Sequence, residues 1–259
     1  MPTKLQRVIF LGRKAGAKQA LDVLIARKIR VTLVITPDPE LAAHAQRLRI
    51  PVIREDAMLY TSLKKNSPPM RNIDLVISYL YPYKMRQPLI DLPARGCVNF
   101  HPAPLPDYKS RAGYNTAILE RKKKFGVSAH FVDSEKFDAG PIIQVDRFPI
   151  DSNSETAWSL EKKAQQKLLD LFKTVITKFE TGKHMRTIPN RGGLYWNLHQ
   201  REALKKIDPK KESLEDINRK IRAFFFPPHS GATITIKGKD FTLIDQEILA
   251  AISKFLHET

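Results

Sequence analysis

The sequence predicts an α/β fold, in which a doubly wound (Rossmann-like), mostly parallel sheet is followed by a small α+β subdomain. Apolar, β-branched runs alternate with segments of helical period along the first half of the chain, and this alternation is typical of βαβ units. The composition changes near Pro189, where a turn-like run containing two glycines begins. We therefore divide the chain into a domain of residues 1–189 and a C-terminal subdomain of residues 190–259, which consists of a helix and a β-hairpin.

Five short apolar runs are the predicted strands of the sheet. They are residues 7–12, 29–35, 51–53, 73–78 and 98–100, and segments 17–25 and 40–48 have the apolar period of helices. The glycines after the first run, Gly12 and Gly16, do not make a GxGxxG fingerprint, and no GxxxxGK[ST] loop occurs, which argues against NAD or ATP binding. Ligands of such sheets bind beyond the carboxyl ends of the strands.

The remaining elements follow from the same patterns. We predict a helix over 114–121 and a strand over 126–133 that pairs with 142–150. Ser152 to Glu155 is a capping-box signature, which predicts that a long helix starts there, and Gly182 is its C-terminal stop. After a linker-like turn at 190–193, the apolar spacing predicts an amphipathic helix up to Phe224 and a hairpin that turns at 237–239.

The composition is that of a globular protein without intrachain disulfides. Hydrophobic residues make up 42% of the 259 residues, so the chain can bury a sizeable core. The single cysteine, Cys97, lies in an apolar run, and we interpret it as a core residue in a reducing compartment. No apolar segment approaches the roughly 20 residues of a membrane span, and the N-terminal run is too short for a signal peptide. We expect a cytoplasmic protein with no membrane partner.

The stretch from Cys97 to Gln144 carries the polar residues that suggest chemistry. Asn99 and His101 are two positions apart at the end of a predicted strand, so their side chains face the same side. Three prolines between 102 and 106 exclude a helix or a central strand, which predicts a stiff surface loop that forms a pocket wall. About thirty residues later, Asp138 stands at the tip of a turn that ends in Gly140-Pro141.

These motifs resemble the folate-dependent formyltransferase superfamily. The resemblance is carried by Asn99-x-His101-Pro102, Pro104-Leu105-Pro106 and Asp138-x-Gly140-Pro141, in this order and spacing. It is closest to the nucleotide-sugar N-formyltransferases of the 4-amino-4,6-dideoxyhexose type, through the run HPAPLPDYK, the Gly-Tyr-Asn at 113–115 and residues 222–228. Ser110 departs from the pattern, because a glycine is expected at that position.

The resemblance implies an enzyme that moves the formyl group of 10-formyltetrahydrofolate to the amine of a dTDP- or GDP-linked 4-amino-4,6-dideoxy sugar, for O-antigen or other surface polysaccharide synthesis. Asn99, His101 and Asp138 are then the catalytic set. Asn99 donates to the oxyanion, and His101 donates or carries the proton. Asp138 orients the imidazole or acts through a water as base.

The resemblance also implies binding residues. The folate co-substrate is expected at the aromatic loop after the fourth strand and near the following turn, at Ser78, Tyr79, Leu80, Tyr81, Tyr83 and Asp133. The nucleotide sugar is expected at Lys109, Arg111, Tyr114, Arg191 and Trp196, although a solvated loop and a structural Tyr-Trp pair explain these residues equally well. The histidines do not fall into metal-ligand spacing, so no metal is expected.

The net charge of +17, from 44 basic and 27 acidic residues, indicates an anionic partner. A nucleotide diphosphate, a polyglutamylated folate and a nucleic acid all fit it, as does a solvated basic surface. Two alternatives therefore stay open, namely transfer to another amine such as aminoacyl-tRNA and a non-enzymatic nucleic-acid-binding protein. Asn99, His101 and Asp138 argue against the second. The region after Pro189 has no RNA-binding signature, so we expect no nucleic acid; a homodimer is left open.

Overall fold

A computed structural model describes residues 5–54, 56–64, 70–110, 113–182, 185–196 and 198–257. The chain forms two compact units. The first consists of Met1–Asp107, Gly126–Asp146 and Gln165–Gly193, and the second of Tyr108–Phe125, Arg147–Ala164 and Leu194–Thr259. The last stretch of the second unit begins close to the predicted boundary at residue 190. The division into a domain of residues 1–189 and a separate subdomain stays a prediction.

The structure has a seven-stranded sheet whose first five strands in chain order run parallel. The strands of the whole chain are β1 (Arg7–Gly12), β2 (Arg30–Ile35), β3 (Val52–Ile53), β4 (Leu75–Tyr79), β5 (Cys97–His101), β6 (Tyr108–Ser110), β7 (Lys124–Val132), β8 (Ile142–Pro149), β9 (Leu194–Trp196), β10 (Thr233–Ile236) and β11 (Lys239–Thr242). The large sheet has the order β3-β2-β1-β4-β5-β7-β8, and β7 is antiparallel to β5. This confirms the predicted Rossmann-like, mostly parallel sheet.

Eight helices occur in the described residues. They are α1 (Lys14–Ala26), α2 (Pro39–Arg47), α3 (Asp56–Lys64), α4 (Gly113–Leu119), α5 (Ala157–Glu180), α6 (Leu198–Leu204), α7 (Leu214–Phe224) and α8 (Gln246–His257). Apart from the start of α5, the predicted helices are confirmed within a few residues, whereas α3, α6, β6 and β9 were not predicted. α2 begins where expected for a proline at its first position, because the Asp38 carboxylate accepts the N–H groups of Glu40 and Leu41 at 2.9 and 3.3 Å.

The predicted start of the long helix α5 is wrong by several residues. The reciprocal cap forms between Thr156 and Ser159, whose backbone N–H groups each donate to the other's side-chain oxygen at 3.0 Å. Ser154 instead donates to the carboxylate of Asp151 at 2.9 Å, in the turn before the helix. Residues 152–154 lie in a turn held by Asp151, whose carboxylate accepts from the N–H of Asn153 and the hydroxyl of Ser154, so the helix begins only after this turn.

The carboxyl end of β4 is fixed by aromatic packing in the first unit. Tyr79 and Phe100 are fully buried with ring centroids 6.0 Å apart, and both rings contact Phe172 of α5, at 5.7 and 4.9 Å. Phe172 belongs to a fully buried stripe at helical spacing, which includes Leu168, Leu171 and Val175. A buried side chain of this size stabilises the fold by about 1.5–3 kcal/mol, so the helix braces the strands that end at the site.

The second unit contains the predicted hairpin and amphipathic helix. Lys237 and Gly238 at the hairpin turn have φ of 49° and 79°, which is the type I′ geometry that suits the twist of two-residue hairpins. α7 packs on α4, where the Asn115 amide donates to the carbonyl of Ala223 at 2.6 Å. In the described part of the chain, none of the helices is both long enough and apolar enough to cross a membrane.

Candidate active site

Three polar residues form a row across neighbouring strands of the large sheet. Asn99 on β5 is the register partner of Ser78 on the parallel strand β4 and of His130 on the antiparallel strand β7. Register partners on adjacent strands lie on the same face of a sheet, so these side chains meet. The pairing of β5 with β7 therefore adds His130 to the predicted site.

The orientation of the Asn99 amide is determined by its three neighbours. The Ser78 hydroxyl donates to Asn99 Oδ1 at 2.8 Å, and Asn99 Nδ2 lies 3.0 Å from His130 Nε2 and 3.3 Å from Asp138 Oδ1. An ionised carboxylate only accepts hydrogen bonds, so the amide nitrogen must face Asp138. The amide oxygen therefore faces Ser78, and the two N–H groups face His130 and Asp138.

Asp138 lies between two imidazoles. Its Oδ1 is 3.4 Å from His101 Nδ1 and 3.4 Å from His130 Nε2. All three side chains are buried, with 6% of His101, 8% of Asp138 and 2% of His130 exposed. In so little water, electrostatic contacts are stronger than at a surface, so this carboxylate can stabilise positive charge on an imidazole during a reaction.

The turn that carries Asp138 is held in place by residues distant in sequence. Asp138 has φ of 49°, which Asp tolerates better than most residues. Gly140 is required, because a Cβ there would lie 1.9 Å from the carbonyl oxygen of Phe131. Asn190 donates through Nδ2 to the carbonyls of both Asp138 and Gly140, at 2.9 and 3.0 Å. These contacts fix the carboxylate relative to β5.

The proline-rich loop is more buried than predicted. Ala103 and Leu105 are 3% and 1% exposed, so the expectation of a surface loop is wrong for its central residues. Ser128, on β7, accepts from the N–H of Leu105 and donates to the carbonyl of Ala103, both at 2.8 Å. The loop avoids unsatisfied buried backbone groups in this way, and the side chain that binds it belongs to the register partner of His101.

The segment 190–193, which resembled a linker, is held closely to the first unit. Asn190 binds the turn of Asp138, and Gly193 has φ of 87°. A Cβ at Gly193 would lie 1.6 Å from the carbonyl oxygen of Pro106, so only glycine permits this approach. The segment therefore connects the acidic turn with the proline-rich loop.

The residues predicted to bind folate are placed in several environments. Ser78 binds Asn99, and Tyr79 is buried, with its ring in the core. Leu80 has φ of 58°, and its carbonyl accepts from Arg13 Nε at 2.8 Å. Beyond it, Tyr81 and Tyr83 stack edge to face at 5.5 Å, with Tyr81 mostly buried and Tyr83 half-exposed. Asp133 lies beside Gly140. These contacts fix the loop, and the assignment of the loop to folate stays a prediction.

The residues predicted to bind the acceptor lie mainly in the second unit. Lys109 and Trp196 are on the neighbouring parallel strands β6 and β9, and the ring of Tyr114 packs 5.5 Å from that of Phe125. Arg191 is exposed in the first unit, and Arg111 lies outside the described residues. The roles of all five stay predictions.

Ser110, where the resemblance leads us to expect glycine, has φ of 66°. The backbone there adopts the left-handed conformation that a glycine favours, despite the serine side chain. Cys97 donates weakly to the carbonyls of Leu89 and Ile90, and burial raises the pKa of its thiol to about 12. This agrees with the interpretation of Cys97 as a core residue, because a nucleophilic cysteine needs a lowered pKa.

Two important contacts were not predicted. Strand periodicity puts His130 on the same face as Ser128 of the predicted strand 126–133, which fits a site residue and a core residue equally. The pairing of His130 with Asn99 decides between the two, and a local sequence pattern does not reveal it. Asn190 looked like a turn residue, and its partners lie 52 and 50 positions earlier. Among the described residues, no group of three or more His, Cys, Asp and Glu side chains is placed to hold a metal ion.

The site is suited to acyl transfer. An amide N–H can stabilise an oxyanion that develops on a carbonyl. Two imidazoles with a buried carboxylate can accept, hold and release a proton. Direct transfer of an acyl group from one nitrogen atom to another needs these two functions. It needs no covalent intermediate on the protein.

Comparison with known proteins identifies the family. Residues 6–176, more than half of the 259 residues, match the formyl transferase family. Among curated proteins, the chain is 27% identical to a methionyl-tRNA formyltransferase of Wolbachia sp. subsp. Drosophila simulans (strain wRi), over an alignment that covers 96% of this chain and 83% of that protein.

Among solved structures, a 4-N formyltransferase from Francisella tularensis superposes with a TM-score of 0.77 at 18% identity, covering 94% of this chain and 98% of the other. An N-formyltransferase from Helicobacter canadensis, in complex with folinic acid and dTDP-3-aminofucose, superposes with a TM-score of 0.70 at 19% identity, covering 90% and 85%. With the family match, these comparisons show that the chain belongs to the formyl transferase family and is a folate-dependent N-formyltransferase, which uses 10-formyltetrahydrofolate as its co-substrate.

Proposed function

We propose that the acceptor is a nucleotide-linked amino sugar, a 4-amino-4,6-dideoxyhexose on dTDP or GDP, and that the product serves O-antigen or other surface polysaccharide synthesis. The observation that carries the proposal is the extent of the structural likeness. The 4-N formyltransferase of Francisella tularensis aligns with 94% of this chain and 98% of its own. A sugar N-formyltransferase from Shewanella aligns with 92% and 96%, at a TM-score of 0.74. The likeness thus includes the second unit as well as the sheet.

In the proposed reaction, the neutral amine of the sugar attacks the formyl carbon. Its lone pair forms the new C–N bond, and the carbonyl π electrons move onto the formyl oxygen, where an N–H of Asn99 stabilises the negative charge. The bond from this carbon to N10 of the folate then breaks. The proton lost by the attacking nitrogen ends on N10, so the products are the formamide and tetrahydrofolate.

His101 is the proposed carrier of this proton. Its Nδ1 faces Asp138 Oδ1 at 3.4 Å, so the carboxylate stabilises the imidazolium that forms transiently. The opposite ring nitrogen, Nε2, is then the one that exchanges the proton with the reacting nitrogens. Asp138 does not need to become protonated in this scheme, since it acts through its charge.

The folate is proposed to bind at the loop from Ser78 to Tyr83 and near Asp133. The loop begins at the residue that donates to Asn99, so a pterin held by its backbone would present the formyl group to the amide. Lys109, Arg111 and Tyr114 are proposed to bind the sugar or its diphosphate, since cations and hydroxyls suit phosphate oxygens. Arg191 and Trp196 are proposed to bind the nucleotide base by stacking.

Methionyl-tRNA is the second candidate acceptor. Curated relatives at 25–31% identity bear that name, and the net charge of +17 suits an RNA partner. The catalytic chemistry is the same for both acceptors, because each presents a primary amine. The two candidates therefore differ only in what binds beyond the amine.

A panel experiment separates the candidates. The purified protein is incubated with 10-formyltetrahydrofolate and either dTDP- and GDP-linked 3- and 4-amino sugars or methionyl-tRNA, and products are read by mass spectrometry. We expect formylation of a 4-amino sugar and none of methionyl-tRNA. The Asn99→Ala protein is the control for contaminating activity. Formylation of methionyl-tRNA without any sugar product would overturn the sugar proposal and leave formyl transfer intact.

A further inference from the structure

We propose that His130 is a positioning residue for formyl transfer. Its neutral imidazole holds one N–H of the Asn99 amide, so that the other N–H is presented to the oxygen of the formyl group. The inference rests on formyl transfer as the reaction and is independent of which acceptor is used.

The tautomer of His130 follows from its contacts. His130 Nδ1 lies 2.7 Å from the carbonyl oxygen of Phe131, and a carbonyl only accepts, so Nδ1 must carry a hydrogen. His130 Nε2 lies 3.0 Å from Asn99 Nδ2, and two nitrogens at this distance need one donor and one acceptor. The amide nitrogen only donates, so Nε2 is the acceptor and the ring is neutral. The 3.4 Å between His130 Nε2 and Asp138 Oδ1 is then a contact without a hydrogen bond.

The two hydrogen bonds of the Asn99 amide differ in length. The contact with His130 is 3.0 Å, within the common range for nitrogen donors, and the contact with Asp138 Oδ1 is 3.3 Å, beyond it. The contact with Asp138 therefore has the poorer geometry of the two. The N–H that faces Asp138 is therefore the one available to a formyl oxygen that enters beside the carboxylate, and it can bond this oxygen without rotation of the amide, while the other N–H stays bound to His130.

His130 and Ser78 hold the amide from opposite sides. Ser78 donates to the amide oxygen at 2.8 Å, and His130 accepts from the amide nitrogen. The three residues occupy the same register row of β4, β5 and β7, so the pairing of the sheet sets their positions. An amide held at both ends needs little reorganisation when charge develops, and such preorganisation is what makes an oxyanion donor effective.

A purely structural role for His130 makes a different prediction. If the ring only filled the core, an apolar residue of similar volume would replace it with little effect on kcat. If it acts through Asn99, its removal must matter only while Asn99 is present. A double-mutant cycle between the two residues measures this dependence directly.

The first test determines the tautomer in the full-length protein. Nitrogen-15 NMR of the labelled imidazoles, assigned with the His130→Gln variant, is expected to show His130 protonated at Nδ1 and unprotonated at Nε2. This measurement needs no acceptor. A His130 ring that is protonated at Nε2, in either the other tautomer or the imidazolium, would overturn the proposal even if the sugar were formylated.

The second test measures kcat with whichever acceptor the panel identifies. We expect His130→Leu to lower kcat about 10- to 100-fold, less than the ~10²–10³ expected for loss of the oxyanion donor itself. We expect His130→Gln, which retains an acceptor on a long side chain, to recover most of this loss. Thr32→Val, a buried polar-to-apolar change on β2 of the same sheet, is the matched control and should keep wild-type kcat.

In the Asn99→Ala background, His130→Leu should change kcat less than twofold, because the amide that His130 positions is gone. An undiminished effect there would show that His130 acts elsewhere, on His101 or Asp138, and would overturn the proposal. If His130→Leu does not fold, His130→Gln combined with Ser78→Ala serves in its place. Ser78→Ala should lower kcat by itself. The NMR signals of this variant should show the same protonation of His130 Nδ1 and Nε2 as in the wild type.

Discussion

At the scale of single residues, one carboxylate lies close to two imidazoles and an amide. Asp138 Oδ1 faces His101, His130 and the nitrogen of Asn99 within 3.4 Å. The charges that Asn99, His101 and Asp138 stabilise develop only as the amine attacks, so their contributions belong to the transition state and should affect kcat more than KM.

We predict that Asn99→Ala, His101→Ala and Asp138→Ala each lower kcat by about 10²–10³, with a smaller change in the KM of the co-substrate. The three act as a unit, so a double variant should lose less than the product of the single losses. Steady-state kinetics and a folding control by circular dichroism measure both effects. A folded Asp138→Ala protein with near-normal kcat would remove Asp138 from the mechanism.

Asn190 gives a prediction that the sequence motifs do not. Its amide donates to the carbonyls of Asp138 and Gly140, and an Asp at this position would bring carboxylate oxygens against those carbonyls. We expect Asn190→Asp to lower kcat at least as much as Asn190→Ala, towards the ~10²-fold that a 1 Å misplacement costs. Thr187→Ala, at an exposed position of the same segment, is the control. Wild-type kcat in Asn190→Asp would show that the turn holds without this amide.

The residues of the site differ in whether a local sequence pattern reveals them. Asn99 and His101 were predicted because local strand geometry places them on one side, and Asp138 because it stands in a recognisable turn. His130 and Asn190 join them only through long-range pairing. The first depends on the register of β5 with β7, and the second on a segment about fifty positions from the turn. Neither distance is encoded in a local pattern.

At the scale of elements, the strands that were predicted differ in length and sequence pattern from those that were not. β1, β2 and β4 are buried, β-branched runs of five or six residues and were predicted. β6 and β9 have three residues each and exist because they pair with each other across more than eighty positions. Long-range parallel pairing leaves no local periodicity, so such short strands are visible only in the fold.

The N-terminal cap of α5 gives a prediction about the stability of the protein. We predict that Thr156→Ala destabilises the protein by about 1 kcal/mol, a fall in melting temperature of roughly 2–4 °C for a chain of this size. Ser152→Ala is the control, because Ser152 is the cap that the sequence suggested and the structure instead forms the reciprocal bonds at Thr156. Thermal unfolding of both variants measures the change in melting temperature. A larger loss of stability from Ser152→Ala than from Thr156→Ala would show that Ser152 caps the helix, as the sequence predicted.

At the scale of the whole molecule, the excess of positive charge is spread along the chain. Part of it lies at the amino end of the sheet, where Arg7 and Arg30 are register partners on β1 and β2. These two residues and Lys28 line one surface pocket. Like charges directly opposite each other are unfavourable, so this surface attracts anions of any kind. His101, in contrast, is the last residue of β5, at the carboxyl end of the sheet, and Asn99 lies two residues before it.

The salt dependence of binding distinguishes a nucleotide-sugar enzyme from a tRNA enzyme. Binding through several phosphates falls roughly 10³-fold or more between 50 and 200 mM salt. A diphosphate held by two or three cations should lose much less over the same range. We therefore expect tRNA binding to disappear at physiological salt and nucleotide-sugar binding to persist. Calorimetry or fluorescence anisotropy across a salt series gives both curves, and competition between the two ligands shows whether they share a site.

A pair of variants identifies the origin of any RNA binding at low salt. Lys28→Gln with Arg30→Gln removes two charges from the basic pocket, whereas Arg47→Gln with Arg54→Gln removes two from other exposed positions in the same unit. We expect the first pair to weaken low-salt tRNA binding more than the second, and neither to change formylation of the sugar. Tight tRNA binding at physiological salt that displaces the nucleotide sugar would contradict the prediction. Aminoacyl-tRNA would then become the favoured acceptor.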